Sequence, residues 1–281
     1  MAAACWKQNY SDGMAKFFAV AVIILAILAV LPIARHSWPM PPNISTTGEA
    51  IDRQMMETTL GAGALFLAAQ LLLGWFVWQF AGRGHESAIR RFPGGTTAIL
   101  VFAIVVVGAE VLALGLVGEK SWAAMYFKPA SSNALLIEAQ AQQFAYYFRY
   151  PGPDGRLGPT HLDKVDDASQ NYFGLDRAAD PDSKDDIVST VLAVGVNREI
   201  PLLMHAKDVG HSFYVRELRL QEDFVPGLDL SIHFTATGTG KYEIMCTQLC
   251  GRLGHSNMKA YLLVLSQQEF AQWLNDRAAD Q

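Results

Sequence analysis

Charge is scarce in this chain. Only 17% of its 281 residues are Asp, Glu, Lys or Arg, against about 25% in soluble domains, while 51% are hydrophobic, which points to a membrane. Basic residues are outnumbered, 22 Lys and Arg against 27 Asp and Glu. No concentrated cationic face is available for phosphates, and nucleic acid is excluded as a partner. Three cysteines do not build a disulfide framework, and no Cys-x-x-Cys-His occurs to attach a c-type haem. The chain also lacks an internal repeat and the composition of a disordered or collagen-like protein.

The charges that exist avoid three stretches. Residues 17–34 carry none, 60–82 carry only Gln70 and Gln79 as strongly polar side chains, and 97–117 carries one ionisable residue, Glu110. Each is long enough for a membrane helix, which needs about 20 residues. Trp75, Trp78 and Trp122 sit where interfacial aromatics belong. The first stretch is longer than the apolar core of a signal peptide and no small-x-small site ends it, so a retained helix is expected. Cys5 has no apolar region before it and reads as a free cytoplasmic thiol, not a lipid anchor. Arg83, Arg90 and Arg91 outweigh Glu86 between the second and third stretches, which places that loop in the cytoplasm. Arg35 and Arg53 lie in the opposite loop. This topology exports everything after about Lys128, into the periplasm if the source is bacterial. Glu110 is a carboxyl inside a span: it marks either a proton path or a group neutralised or paired at a subunit contact.

From Pro129 the composition changes to 13 Lys and Arg against 20 Asp and Glu, a net charge of −7. Short alternating runs, Leu135–Ala139, Ile187–Val194, Leu228–Phe234 and Ala260–Leu265, alternate with Gly- and Pro-bearing turns. They predict a sandwich or barrel of antiparallel strands. Gln267 to Asp280 reads as an amphipathic helix with Phe270, Trp273 and Leu274 on one face. Residues 150–186 break the pattern with a run of Pro, Gly and Asp. This polar insertion lacks the fixed Gly and terminal Glu of a calcium loop and reads as a solvated loop or a surface for partner docking.

The chemistry concentrates in His211 and, 35 residues on, in Cys246-Thr247-Gln248-Leu249-Cys250-Gly251-Arg252-Leu253-Gly254-His255-Ser256-Asn257-Met258. Two thiols, two imidazoles and a thioether make a soft ligand set suited to copper. A mononuclear blue-copper site needs one thiolate; the second allows both sulfurs to bridge two ions. A disulfide and a tetrahedral Cys2His2 zinc site compete, although zinc leaves Met258 and the distant His211 unexplained. His36, His85, His161, His205 and His233 lack such company and read as surface or packing residues.

These residues bring out a resemblance to subunit II of the haem-copper oxidases, whose exported cupredoxin domain holds the dinuclear copper centre CuA. It runs through the membrane helices, an aromatic segment, Asp208-Val209-Gly210-His211-Ser212-Phe213, Glu217-Leu218-Arg219 leading to Val225-Pro226-Gly227, Tyr242-Glu243-Ile244 and the cysteine loop. It implies transmembrane α-helices (residues 1–128) followed by an all-β, cupredoxin-like Greek-key domain (129–281). It also implies bridging by Cys246 and Cys250, terminal ligation by His211 and His255, weak ligation by Met258, and a backbone carbonyl ligand from Gln248.

The chain departs from the family pattern in three places. Four residues instead of three separate Cys250 from His255, so either the glycine-bearing loop absorbs the extra one or His255 is displaced; the intact His255-x2-Met258 spacing favours absorption. Gln248 stands where Glu is frequent, and a neutral amide is a poor ligand for a hard cation, so the family's magnesium site is in doubt. Phe144 and Tyr146, within Gln143–Tyr150, take tryptophan positions and are the electron-entry candidates or core aromatics. The implied function is electron entry: cytochrome c or a similar carrier docks on the acidic domain, and electrons reach haem held by catalytic subunit I, with further oxidase subunits and the lipid bilayer as partners. The negative field favours a basic carrier and weakens with salt. A CuA subunit of a nitric oxide reductase and a membrane-anchored copper-delivery protein share the ligand set.

Overall fold

A computed structural model describes residues 2–35, 37, 40–81, 95–127 and 129–279. The loop bearing Arg83, Glu86, Arg90 and Arg91, together with His36, His85, Lys128, Asp280 and the side chain of Cys5, lies outside the described residues. The chain divides into two compact units, Met1–Met40 with Asp52–Gly118, and Pro41–Ile51 with Glu119–Gln281.

The first unit is built from α1 (Ala2–Ala34), α2 (Gly48–Phe80) and α3 (Gly95–Tyr126). All three are long and apolar enough to cross a membrane. α1 and α2 begin well before the apolar windows 17–34 and 60–82, and α3 runs past 97–117 at both ends; Pro32 lies inside α1. Gly74 lets α2 approach α1, since a Cβ there would stand 2.7 Å from the Ile23 side chain. Most large apolar side chains of α3 are exposed, among them Phe102, Ile104, Val105 and Val111, as expected of a helix made for lipid or for partner helices.

The second unit is a two-sheet sandwich. Its strands are β1 (Ile137–Gln142), β2 (Ala145–Tyr150), β3 (Ile187–Ser189), β4 (Val191–Gly195), β5 (Glu199–Ala206), β6 (His211–Val215), β7 (Leu220–Phe224), β8 (Leu230–Thr235), β9 (Gly240–Met245) and β10 (Lys259–Leu265). One sheet has the order β3-β2-β1-β5-β8 and the other β4-β10-β9-β6-β7. The expected all-antiparallel pairing is corrected at two places: β1 runs parallel to β5 and β4 parallel to β10. Both pairs join strands far apart in sequence, where the chain has crossed between sheets and no hairpin dictates direction. Ile137, Ala139, Ala141, Phe148, Phe213, Leu262 and Val264 fill the space between the sheets. Helix α4 (Gln267–Ala279) caps one side, with Phe270 buried and Trp273 packed 5.2 Å from Tyr150. Its start is a reciprocal capping box: Glu269 N–H donates to Ser266 Oγ, and Ser266 N–H to the Glu269 carboxylate at 2.9 Å.

Residues 41–51, between α1 and α2, pack into the sandwich. Ile44 and Ser45 are buried. Ile44 N–H donates to Glu217 O at 3.0 Å, and Ile44 O accepts from Thr237 N–H at 2.7 Å.

The insertion is more than a solvated loop. Its only helical turn is a 3-10 turn at Leu162–Lys164, yet Phe173, Leu175, Ser183 and Asp186 are buried. Asp166, Asp176 and Asp180 accept backbone N–H groups two to three residues on, the ordinary work of Asp in turns. The insertion covers the outer face of β1 and β2, which explains why Glu138, Gln140 and Arg149 are buried on the face that simple alternation assigns to solvent. Arg149 pairs with Glu138 and Asp186 and donates to Gly158 O, while the Phe173 ring lies 5.5 Å from its guanidinium. Burial pushes Asp186 up to about 6 although Arg149 pulls the other way.

His205 departs from the surface-or-packing expectation. Its two ring nitrogens lie 2.8 Å from Glu138 and 2.8 Å from Asp229. Burial works against the charged ring, but the two carboxylates outweigh it and raise the pKa.

Arg149→Met is expected to cost about 3–5 kcal/mol, because it leaves buried carboxylates without their cation; chemical unfolding of the purified protein measures it. His205 contributes stability that is complete below the ordinary histidine pKa and is lost as pH rises through its raised folded value. The wild-type unfolding midpoint should fall across that range relative to His205→Gln; parallel pH curves would contradict the assignment.

Candidate metal centre

Strand β6 begins at His211, and its neighbour β9 ends at Met245, one residue before Cys246; Tyr214 faces Met245 in the register between them. This juxtaposition carries His211 to the cysteine loop. The loop is closed by Cys246 N–H donating to Met258 O at 3.3 Å, directly before β10. His211, Cys246, Cys250 and Met258 are all buried.

The donor atoms converge. Ligand atoms of His211, Cys246 and Cys250 lie within 4.8 Å of one another. Cys250 Sγ is 3.6 Å from Cys246 Sγ, 3.4 Å from His255 Nδ1 and 3.7 Å from Met258 Sδ. The Cys246 thiol donates to Gln248 O at 3.1 Å. All six expected donors therefore meet in one place. The sulfurs are free thiols and far from the roughly 2.05 Å of a disulfide.

His211 supplies the best test of fit. Its Nε2 is held 2.7 Å from Asp208, whereas its buried Nδ1 has no hydrogen-bond partner. A carboxylate on one nitrogen and a buried, unpartnered second nitrogen, on a ring with a nitrogen within 4.8 Å of both sulfurs, is how a ligating imidazole is oriented. Burial, followed by the Cys246 thiol, pushes the Cys250 thiol up to about 12, so a bound cation would have to displace its proton. The residues fit a soft metal: two sulfurs, two imidazoles, a thioether and a carbonyl exceed what four-coordinate zinc uses.

The extra residue between Cys250 and His255 is absorbed in the loop. Gly251 has φ +144°, and Arg252 and Leu253 turn outward while His255 still reaches Cys250. A Cβ at Gly254 would stand 2.3 Å from the Phe144 ring, so this loop lies against that ring. Gln143 Nε2 donates to Cys250 O at 2.6 Å, locking the β1–β2 turn to the site. The two aromatic candidates separate: Phe144 is part-exposed at the turn, while Tyr146 is buried, its hydroxyl donating to Ser212 O at 2.6 Å. Burial and then Cys246 raise the Tyr146 pKa. Glu110 lies in the helical unit, lining a cavity of about 250 Å³ with Gln54, Glu57, Thr58 and Leu114.

Sequence reasoning missed the roles of Asp208, which also accepts from Gln143 N–H at 2.8 Å, and of Thr247, whose hydroxyl meets Ser212 Oγ at 3.0 Å. An Asp three residues before a ligand histidine was the available signal for the first.

Fold and site define a class: a cupredoxin-like sandwich carried by apolar helices, with a buried His and Cys cluster able to hold a metal. Residues 179–264 match the family model for the periplasmic domain of cytochrome c oxidase subunit II. The chain is 30% identical over 262 residues to the alternative cytochrome c oxidase subunit 2 of Bradyrhizobium diazoefficiens, covering 92% of this chain and 91% of that one. It is 25% identical to cytochrome c oxidase subunit 2 of Thermostichus vulcanus, covering 94% and 86%. Among solved structures, the periplasmic domain of subunit II from Bradyrhizobium japonicum is 24% identical with a TM-score of 0.39, covering 54% of this chain and 99% of that one. The chain belongs to the cytochrome c oxidase subunit II family, subunits of haem-copper oxidoreductase complexes.

Asp208→Asn should lower metal affinity about 10- to 100-fold, with the fold intact by circular dichroism. Competition with a copper chelator measures the loss, and an unchanged affinity would remove Asp208 from its orienting role.

Proposed function

We propose that this chain is the electron-entry subunit of a haem-copper terminal oxidase, with His211, Cys246, Gln248, Cys250, His255 and Met258 holding a dinuclear copper centre. The observation that carries this reading is the convergence of two thiols 3.6 Å apart with one imidazole, His255, 3.4 Å from Cys250 and another, His211, whose Nδ1 is buried and unpartnered. A dinuclear copper centre there would supply one-electron transfer between a reduced carrier and haem in the catalytic subunit of an oxidase. Cys246, Cys250, His211 and His255 would hold the copper, with Met258 and the Gln248 carbonyl as weaker donors. The amide side chain of Gln248 makes a poor magnesium ligand, so copper is the only metal assigned.

The location is the cell membrane of a bacterium, crossed by α1, α2 and α3, with the sandwich on the outer side. Two features support this. The Arg-rich loop 83–91 favours the cytoplasm. Backbone hydrogen bonds from Ile44 tie the α1–α2 connection to the sandwich, so that connection shares its side of the membrane and the N-terminus falls on the other. The partners are the catalytic subunit I, other oxidase subunits and a cytochrome c or similar carrier. Glu110, inside a span and beside a cavity shared with Glu57, is assigned to a proton path.

Metal analysis and electron paramagnetic resonance on the purified protein test the reading. Two copper ions per chain sharing one unpaired electron are expected. Cys246→Ser and Cys250→Ser should each abolish that signal, and Met258→Leu should keep copper and raise the potential. An unaltered spectrum in either cysteine variant overturns the assignment.

A further inference from the structure

We propose that Tyr146 tunes the metal centre: its hydroxyl is the hydrogen-bond donor that sets the electron density on the Cys246 sulfur once a metal has displaced the thiol proton. The inference rests on the dinuclear-copper reading and adds a positioning residue that acts through Cys246.

Tyr146 is 2% exposed, on the core-facing side of β2. Phenylalanine fills the same kind of space at Phe148 and at Phe224, whose ring lies 5.9 Å from that of Tyr146. A buried hydroxyl costs free energy unless it is bonded, so the choice of tyrosine is explained by what the hydroxyl touches. Tyr150, further along the same strand face, shows the ordinary solution: its hydroxyl accepts from Ala193 N–H at 2.7 Å and donates to Ala193 O at 3.1 Å, both backbone groups. The Tyr146 hydroxyl donates to one backbone group, Ser212 O at 2.6 Å, and also stands within hydrogen-bond reach of the Cys246 side chain.

These two contacts bracket the donor cluster. Ser212 follows His211 at the start of β6 and Thr247 follows Cys246, and the hydroxyls of Ser212 and Thr247 meet at 3.0 Å. Strand β2, the first residues of β6 and the cysteine loop therefore close on one another around the Tyr146 hydroxyl. All of these residues belong to the sandwich unit.

The phenol has one proton to give and two acceptors to choose from. While Cys246 keeps its own proton it is a donor, to Gln248 O at 3.1 Å, and the phenol proton is left to Ser212 O. A metal that displaces the thiol proton leaves a sulfur carrying negative charge. Hydrogen bonds to a charged acceptor are about twice as strong as neutral ones, and the Tyr146 hydroxyl is the buried donor beside that sulfur. The phenol itself stays protonated, because burial, followed by Cys246, raises its pKa. A donor on a metal-bound thiolate withdraws electron density from the sulfur, which favours the reduced metal and raises the reduction potential. Removal of the hydroxyl lowers it.

Tyr146→Phe in the purified full-length protein, loaded with copper, is the test. The readouts are a redox titration of the copper absorption and electron-nuclear double resonance in H2O and D2O. The variant should keep two copper ions per chain, show a lower potential than wild type and lose one exchangeable-proton coupling. Tyr150→Phe removes a buried hydroxyl of the same strand that is bonded to backbone alone, and should leave both readouts at their wild-type values. Replacement of Tyr146 by 3-fluorotyrosine keeps the ring and the hydroxyl, makes the hydroxyl a stronger donor and should raise the potential; it decides the matter where Tyr146→Phe does not fold or load. A wild-type potential in Tyr146→Phe, or an unmoved potential with the fluorinated ring, overturns the proposal and leaves the hydroxyl on Ser212 O alone. So does an equal drop in Tyr150→Phe, which would assign the shift to packing. A wild-type protein without the paired-copper resonance defeats the dinuclear reading itself and the proposal with it, a failure separate from an intact resonance whose potential ignores Tyr146.

Discussion

The site depends on one strand pairing. Strand β6 meets β9 with Tyr214 opposite Met245, and because β6 runs antiparallel to β9, three residues back from Tyr214 lies level with the residues after Met245. That places His211 against Cys246 and the loop beyond it. A slip of one residue would turn His211 to the other face of its sheet and remove an imidazole from the cluster. The register is fixed by burial: Phe213 and Val215 go into the core, and β7 continues the ladder from His211↔Phe224 to Val215↔Leu220.

What the sequence made legible was whatever has a local signature. The spans were readable from the absence of charge, α4 from the stripe of Phe270, Trp273 and Leu274, and the donors from residue type and spacing. What it hid depends on contacts between distant segments. Nothing local says that β1 runs parallel to β5, or that Gln143 will anchor Cys250, 107 positions away. Asp208 was visible as a residue but not as a partner, since an Asp before a histidine has a role only when the ring's orientation is known. The aromatics Phe144 and Tyr146 looked alike; the two-residue turn between β1 and β2 leaves the first at the surface while the strand buries the second.

The insertion is a second case in which composition misleads. Nine aspartates in 36 residues suggest solvent on every side, yet many of these side chains are spent on their own backbone, holding turns that no regular structure supports. The segment can then fold back as a third layer and bury Glu138, Arg149 and Asp186 beneath it. Buried ion pairs add little net stability over an apolar contact of equal volume. They do fix position, because Arg149 must meet Glu138, Asp186 and Gly158 O at once, and an insertion shifted by one residue would leave a charge unpaired. That fixed placement is what allows an irregular segment to hold Asp167 beside the end of the sandwich that carries the donors.

The surroundings of the donors oppose their own ionisation. Burial, Cys246 and Asp208 all push the Cys250 thiol upward, so a metal at this site has to displace its proton. Such a site selects against ions that bind thiolates weakly, because a cation must offset the deprotonation of sulfur in a low-dielectric, acidic setting. Hard cations gain little from sulfur, and the one side chain that would have served them in this loop is the amide Gln248. Asp208 works in the other direction on the imidazole: it holds Nε2 at 2.7 Å and leaves the buried Nδ1 without a hydrogen-bond partner. The same carboxylate thus raises the Cys250 thiol and orients the imidazole, and the two effects together suit the cluster to a soft ion that would bind sulfur and nitrogen at once.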